Sequence, residues 1–194
     1  VLFRVFGWPT DATPEPLRVP RARQGRGRHD DPERYTALYL AREPVGAIAE
    51  AIQAFRGQEL PAAALTRSDG TRRALAAIDD SALPALVDLD DPVVLSARRL
   101  RPSAVATGDR RTTQRIAGEA FDDEAIGLSW WSTLEASWTN VTLFAERLGE
   151  LPPLVEVIPL SLDHPALVEA ADRLGVRLAT PTGRGRRPRL TVVR

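Results

Sequence analysis

Glu50 closes the stretch YLAREPVGAIAE (residues 39–50), and Gly46, Ala47, Gln53 and Ala54 occupy the places three and four residues from it. On a helix those are the neighbouring side chains, so this acid has no basic partner within reach on its own helix. Small neighbours leave room for a ligand. A carboxylate in a cleft can stabilise a developing positive charge or activate a water. The plainer reading is a solvated helix face of Ala, Gly and Glu. Residues 18–28, RVPRARQGRGR, hold five Arg and no acid. Arg forks grip phosphate oxygens and a Gly-containing backbone lets a phosphate approach, so the run ending at Arg28 is a candidate anion clamp. A solvated basic loop is the alternative. Arg4 interrupts the apolar LFRVF. A buried Arg is rare unless paired, so Arg4 points either to solvent from an edge strand or into a polar cleft. Tyr39 precedes the Glu50 helix and Ser132 follows two Trp. Their hydroxyls are either satisfied structural groups or groups that orient a substrate.

Composition removes other chemistries. There is no Cys, which excludes disulfides, thiolate zinc sites and cysteine nucleophiles. All 26 basic residues are Arg, so a Schiff-base lysine and a phosphate-loop lysine are excluded as well. With only His29 and His164, a His-rich metal site is excluded, and a Ser-His-Asp triad would have to use one of these two. No metal is expected. The net charge of +0 argues against a nucleic-acid partner. No apolar run approaches a membrane span and no basic-then-apolar leader opens the sequence, which predicts a soluble, cytoplasmic protein with no membrane partner.

The elements that must position these residues follow from pattern. Residues 1–8, 36–41, 72–79, 85–91, 125–132, 138–146, 153–160 and 189–194 read as strands. Helices are predicted from Glu43 and Pro44 onward, at 90–100, at 109–123 and at 162–175. The last has Asp163 as N-cap, Pro165 early and Gly175 as C-cap. Val45, Ile48, Ala49 and Ile52 form the apolar stripe of the first helix, with Glu50 nearly opposite. Residues 9–34 read as a long loop and 183–189 as an Arg-rich solvated turn. Strands and helices mix without strict alternation, so the fold class is α+β and the 194 residues form one domain.

Taken in order, these pieces resemble the RES domain family, named for its Arg, Glu and Ser residues. Phe3-Arg4 matches the family's first-strand aromatic-Arg. Gly27-Arg28-His29-Asp30 matches its Gly-Arg-aromatic-Asn, and Tyr39-Leu40-Ala41 follows eleven positions after Arg28. Glu50 follows another eleven positions on. Gly127 to Ser132 and Asn140 to Phe144 match two later elements, so the likeness covers residues 2–146. Residues 147–194 would add a strand, a helix and a strand. His29 and Asp30 depart from the family's aromatic and Asn, and a carboxylate at 30 is expected to weaken a phosphate clamp.

The resemblance implies an ADP-ribosyltransferase-like, mixed or antiparallel sheet flanked by helices. It also implies a bacterial toxin that degrades NAD by hydrolysis or phosphorolysis, with NAD and inorganic phosphate as substrates and an Xre-type antitoxin as partner, in a toxin–antitoxin hetero-oligomer or as a homo-oligomer. By the same resemblance Glu50, Arg28 and Ser132 are the catalytic residues. Arg4, Arg28, Tyr39 and Ser132 bind substrate: the arginines at phosphate, Tyr39 against nicotinamide or ribose, Ser132 near the nicotinamide ribose. The alternatives are an ADP-ribosyltransferase acting on a protein, and an inactive binding module of the same fold.

Overall fold

The computed structural model describes residues 1–180. The aromatic and β-branched run at the start forms β1 (Leu2–Trp8). It pairs antiparallel with β4 (Arg72–Ile78) along its whole length, from Leu2 opposite Ile78 to Trp8 opposite Arg72. β2 (Ala37–Ala41) pairs as completely with β7 (Thr139–Phe144). Between β1 and β2 there is one ladder pair, Phe3 with Ala41. Next to it Arg4 Nη1 donates to the Tyr39 carbonyl at 2.7 Å, so a side chain bridges the two strands where the ladder has stopped. The other strands are β3 (Glu59–Leu60), β5 (Val87–Asp88), β6 (Gly127–Trp131), β8 (Leu154–Pro159) and β9 (Arg177–Leu178). The main sheet has the order β5-β6-β7-β2-β1-β4-β8 and is antiparallel except for the β5–β6 edge, while β3 and β9 form a separate parallel pair. This is an α+β fold with a mixed sheet flanked by helices.

The helices are α1 (Pro44–Ile52), α2 (Pro92–Ala97), α3 (Pro102–Ala106), α4 (Arg110–Asp122) and α5 (Pro165–Leu174). Four of them open on Pro, whose fixed φ and missing N–H suit the first helical position. α1 buries Ile48, Ala49 and Ile52 against Leu167, Ala170 and Leu174 of α5 and Leu75 of β4. α4 buries Ile116, Ala117 and Ala120 against Tyr35, Leu128 and Phe144. Leu38, Leu40, Val141 and Leu143 join Leu2 and Ile78 in a third cluster. Because strand side chains alternate, Tyr39, Asn140 and Thr142 point to the sheet face opposite that third cluster.

The end of the long 9–34 segment is tied down. Asp30 accepts from the backbone N–H groups of Gly25 and Gly27, each at 2.7 Å, and from the Tyr39 hydroxyl at 2.7 Å. That hydroxyl in turn accepts from His29 N–H at 2.8 Å. A Cβ on Gly27 would sit 2.5 Å from both Asp30 Oδ1 and the Tyr39 hydroxyl oxygen, so only Gly fits this turn. His29 is buried, with Nδ1 2.8 Å from Thr142 Oγ1 and its ring edge-on to Trp130. Burial pushes the imidazole down to about 3, and Arg28 and Arg110 act in the same direction.

Several elements differ from the sequence expectation. The N-cap of α5 is His164, not Asp163: the helix frame begins at Pro165, and the residue before the first helical position is the cap. Gly175 does end that helix, at φ 65°. The strand expected over 85–91 contracts to Val87–Asp88, because Asp88 and Asp91 turn the chain by accepting from Asp90 N–H and Val93 N–H. Glu43 leaves the α1 dipole and accepts from Thr139 N–H at 3.0 Å, tying the helix start to β7. α3, β3 and β9 have no counterpart in the sequence reading. Arg21–Arg23 form a 3-10 turn inside the long loop. The strand expected at 189–194 and the Arg-rich turn at 183–189 lie outside the described residues.

His29 gives a pH prediction with a definite sign. The native imidazole stays neutral while the unfolded chain takes up a proton below its ordinary value of about 6.5, so stability is complete above that pH and falls as pH drops toward 3. Between pH 6.5 and 5, above most carboxylate titrations, urea unfolding of the wild type should lose stability more steeply than His29→Asn. The difference should approach about 1.4 kcal/mol per pH unit. Equal slopes would contradict a buried, neutral His29.

Candidate active site

The single β1–β2 pair leaves an opening on the sheet face beside α1, and a cleft of about 420 Å³ occupies it. That volume falls within the range of small-molecule sites. Glu50 lines it from α1, and among the described residues no Arg holds it. Its Oε1 accepts from Asn140 Nδ2 at 3.0 Å and from Ser132 Oγ at 3.2 Å, and its Oε2 accepts from Gln53 Nε2 at 2.8 Å. Among the described residues none of the ion pairs includes Glu50. The missing local partner is therefore supplied by neutral donors, one from the next helical turn and two from the sheet side. Such donors stabilise the carboxylate while leaving its charge uncancelled toward the cleft.

Ser132 is buried at 2 % exposure behind Glu50. Its hydroxyl accepts from Leu134 N–H at 3.1 Å, which leaves its single proton for Glu50. Asn140 is 4 % exposed on β7, opposite Trp130 of β6 and Ala41 of β2.

Arg4, Arg28, Arg73 and Arg110 line the same cleft. Arg28 is anchored where α3 ends: Nη1 donates to the carbonyls of Val105 at 3.0 Å and Thr107 at 2.7 Å, and the guanidinium lies 5.0 Å from the Trp130 ring centroid. Burial lowers its pKa and Arg110 adds to this, while Glu50 opposes it. Burial lowers Arg4 to about 10, so it remains a cation at neutral pH. Among the described residues its buried Nε–H has no partner. Taking an ion out of water costs several kcal/mol, and one hydrogen bond to a charged group returns roughly 1.5–3. Arg4, partly buried on the cleft wall, is thus only partly compensated by its one carbonyl contact. Arg73 fixes Nε on the Ala64 carbonyl at 3.1 Å.

All five residues singled out from the sequence converge here: Arg4, Arg28, Tyr39 and Glu50 line the cleft and Ser132 supports Glu50. The basic run 18–28 does not act as one clamp. Arg18 pairs with Glu15 and Arg21 with Glu146 at the surface, and of the run only Gly27 and Arg28 line the cleft. The Asp30 carboxylate is consumed by the loop and by Tyr39. Burial, then the Asp30 hydrogen bond, raises the Tyr39 pKa, so its hydroxyl stays protonated as the donor of that bond. Asn140, Gln53, Arg73 and Arg110 were missed. Gln53 was legible as the i+3 neighbour of Glu50. Asn140 stood in a matched element without a role, and nothing marked Arg73 or Arg110 among 26 Arg.

Among the described residues no group of three or more His, Asp or Glu side chains is placed to hold a metal ion, and no helix is long and apolar enough to cross a membrane. A comparison with curated proteins found no match. Among solved structures, the crystal structure of the M. tuberculosis MbcT–MbcA toxin–antitoxin complex aligns with a TM-score of 0.63 and 20% identity, covering 90% of this chain and 88% of that chain. At that identity the likeness is one of fold. A family model described as RES domain matches residues 1–163, a stretch that includes all five of the residues above. A match over most of the sequence settles the kinship: this chain belongs to the RES domain family.

Proposed function

We propose that this protein is a toxin that cleaves the nicotinamide–ribose bond of NAD, by hydrolysis or phosphorolysis, and that an Xre-type antitoxin neutralises it. The observation that carries this reading is one carboxylate, held by neutral donors, in a cleft lined by four Arg. A dinucleotide has the complementary charges, with two phosphates for the arginines and a cationic nicotinamide ring. A toxin bound to its antitoxin shares the fold, which supports the partner.

In the proposed reaction the C1′–N bond breaks and its electron pair leaves with nicotinamide, which departs neutral and needs no proton. C1′ becomes oxocarbenium-like, as in glycoside cleavage. Positive charge moves onto the ribose as the bond opens, so Glu50 stabilises the transition state more than the ground state. A water or phosphate oxygen then bonds to C1′, and Glu50 aligns it. In hydrolysis the water's proton passes to Glu50 or solvent. Arg4 and Arg28 hold the diphosphate, with Arg73 and Arg110 at the cleft wall. Tyr39 keeps the Arg28 loop in place through Asp30 and packs its ring toward the nicotinamide end.

Nicotinamide release from NAD by purified protein tests this, with ADP-ribose reporting hydrolysis and its phosphorylated form reporting phosphorolysis. Glu50→Gln should slow release by about 10²–10³-fold at an unchanged unfolding midpoint. NAD left intact by the wild type, with and without phosphate, would sink the reading. Arg28→Ala should act mainly on KM. Losing a hydrogen bond to a charged group predicts a rise of roughly tenfold or more, since tenfold is about 1.4 kcal/mol. An unchanged KM would remove Arg28 from the substrate site.

A further inference from the structure

The two Glu50 oxygens are not equivalent. Among the described residues Oε1 accepts from two buried donors, Asn140 Nδ2 and Ser132 Oγ, whereas Oε2 accepts only from Gln53, an exposed residue that lines the cleft. Asn is depleted in strand interiors and is rarely buried, because its amide must be satisfied. Asn140 stands inside β7 at 4 % exposure, and among the described residues its side-chain hydrogen bond goes to Glu50. An apolar residue would suit this position better unless the donor serves Glu50.

We propose that Asn140 is a positioning residue that, together with Ser132, locks Glu50 Oε1 and leaves Oε2 as the reactive oxygen. This rests on the reading of Glu50 as the carboxylate beside C1′. Both Oε1 donors point their protons at it, and Ser132 is committed to donating because it already accepts from Leu134 N–H. A proton on Oε1 would face two donors and gain no acceptor. In hydrolysis a proton taken up from the attacking water therefore lands on Oε2. Gln53 is the one group that must turn aside for the nucleophile. Ser132 then acts through Glu50 without touching the ribose.

Steady-state NAD turnover of wild type, Asn140→Ala, Asn140→Asp and Ser132→Ala tests this, with unfolding midpoints measured in parallel. A carboxylate freed to move by about 1 Å costs on the order of 10²-fold, so Asn140→Ala should lower kcat by roughly 10–100-fold with KM within about twofold. Asn140→Asp keeps the shape but replaces the donor with an acid facing Glu50, and should lose at least as much. An unchanged kcat, or a loss confined to KM, overturns the proposal. Asn140→Asp matching wild type overturns it too. If wild type leaves NAD intact, the NAD reading fails by itself and the contact is decided by NMR. The Asn140 side-chain amide signals should move in Glu50→Ala, and signals that stay in place would show that Asn140 does not serve Glu50.

Discussion

β1 and β2 lie side by side in one sheet yet share a ladder only at Phe3 and Ala41, and the Arg4 guanidinium reaches the Tyr39 carbonyl where the ladder ends. Strands that pair completely leave no room between them for a ligand. Here each of the two has a full partner on its other side, β4 for β1 and β7 for β2, so the sheet keeps its order while its middle opens. The opening brings residues distant in sequence to one cleft: Arg4 from β1, Tyr39 from β2, Glu50 from the helix after β2, and Asn140 from β7 behind it. It also explains how an Arg can stand inside an apolar strand. Arg4 substitutes a side-chain bond to the Tyr39 carbonyl for backbone pairing.

Charge does the rest. Among the described residues four arginines face the cleft against a single glutamate, and Arg4, Arg28 and Arg73 are fixed by backbone carbonyls. Carbonyl anchors orient a guanidinium without cancelling its charge, so the cleft keeps a positive field. Glu50 is treated in the mirror sense, oriented by neutral amide and hydroxyl donors. Held this way, opposite charges share a small volume without collapsing into an ion pair that would fill it.

Much of this was legible in the sequence, and the exceptions have physical causes. The eleven-residue steps from Arg28 to Tyr39 to Glu50 were visible, and the structure gives the first a meaning: the Tyr39 hydroxyl closes the Arg28 loop through Asp30 and His29. Asp30 looked like a liability because its partners, two backbone N–H groups and a phenol, leave no mark in sequence. Glu50 looked unpaired because its donors Ser132 and Asn140 lie 82 and 90 residues away, a proximity set by strand register. Arg73 and Arg110 were hidden by the abundance of Arg. At α5 and β5 the local competition between Pro165 and Asp163, and between Asp turns and strand, was read the wrong way.

The proposed reaction requires that the parted strands hold a dinucleotide with its scissile bond at Glu50. A crystal structure of the Glu50→Gln protein with NAD bound tests it most directly. C1′ of the nicotinamide ribose should lie beside residue 50, with the diphosphate on Arg4 and Arg28. NAD seated elsewhere, or lying in the cleft with its diphosphate away from those arginines, would contradict it.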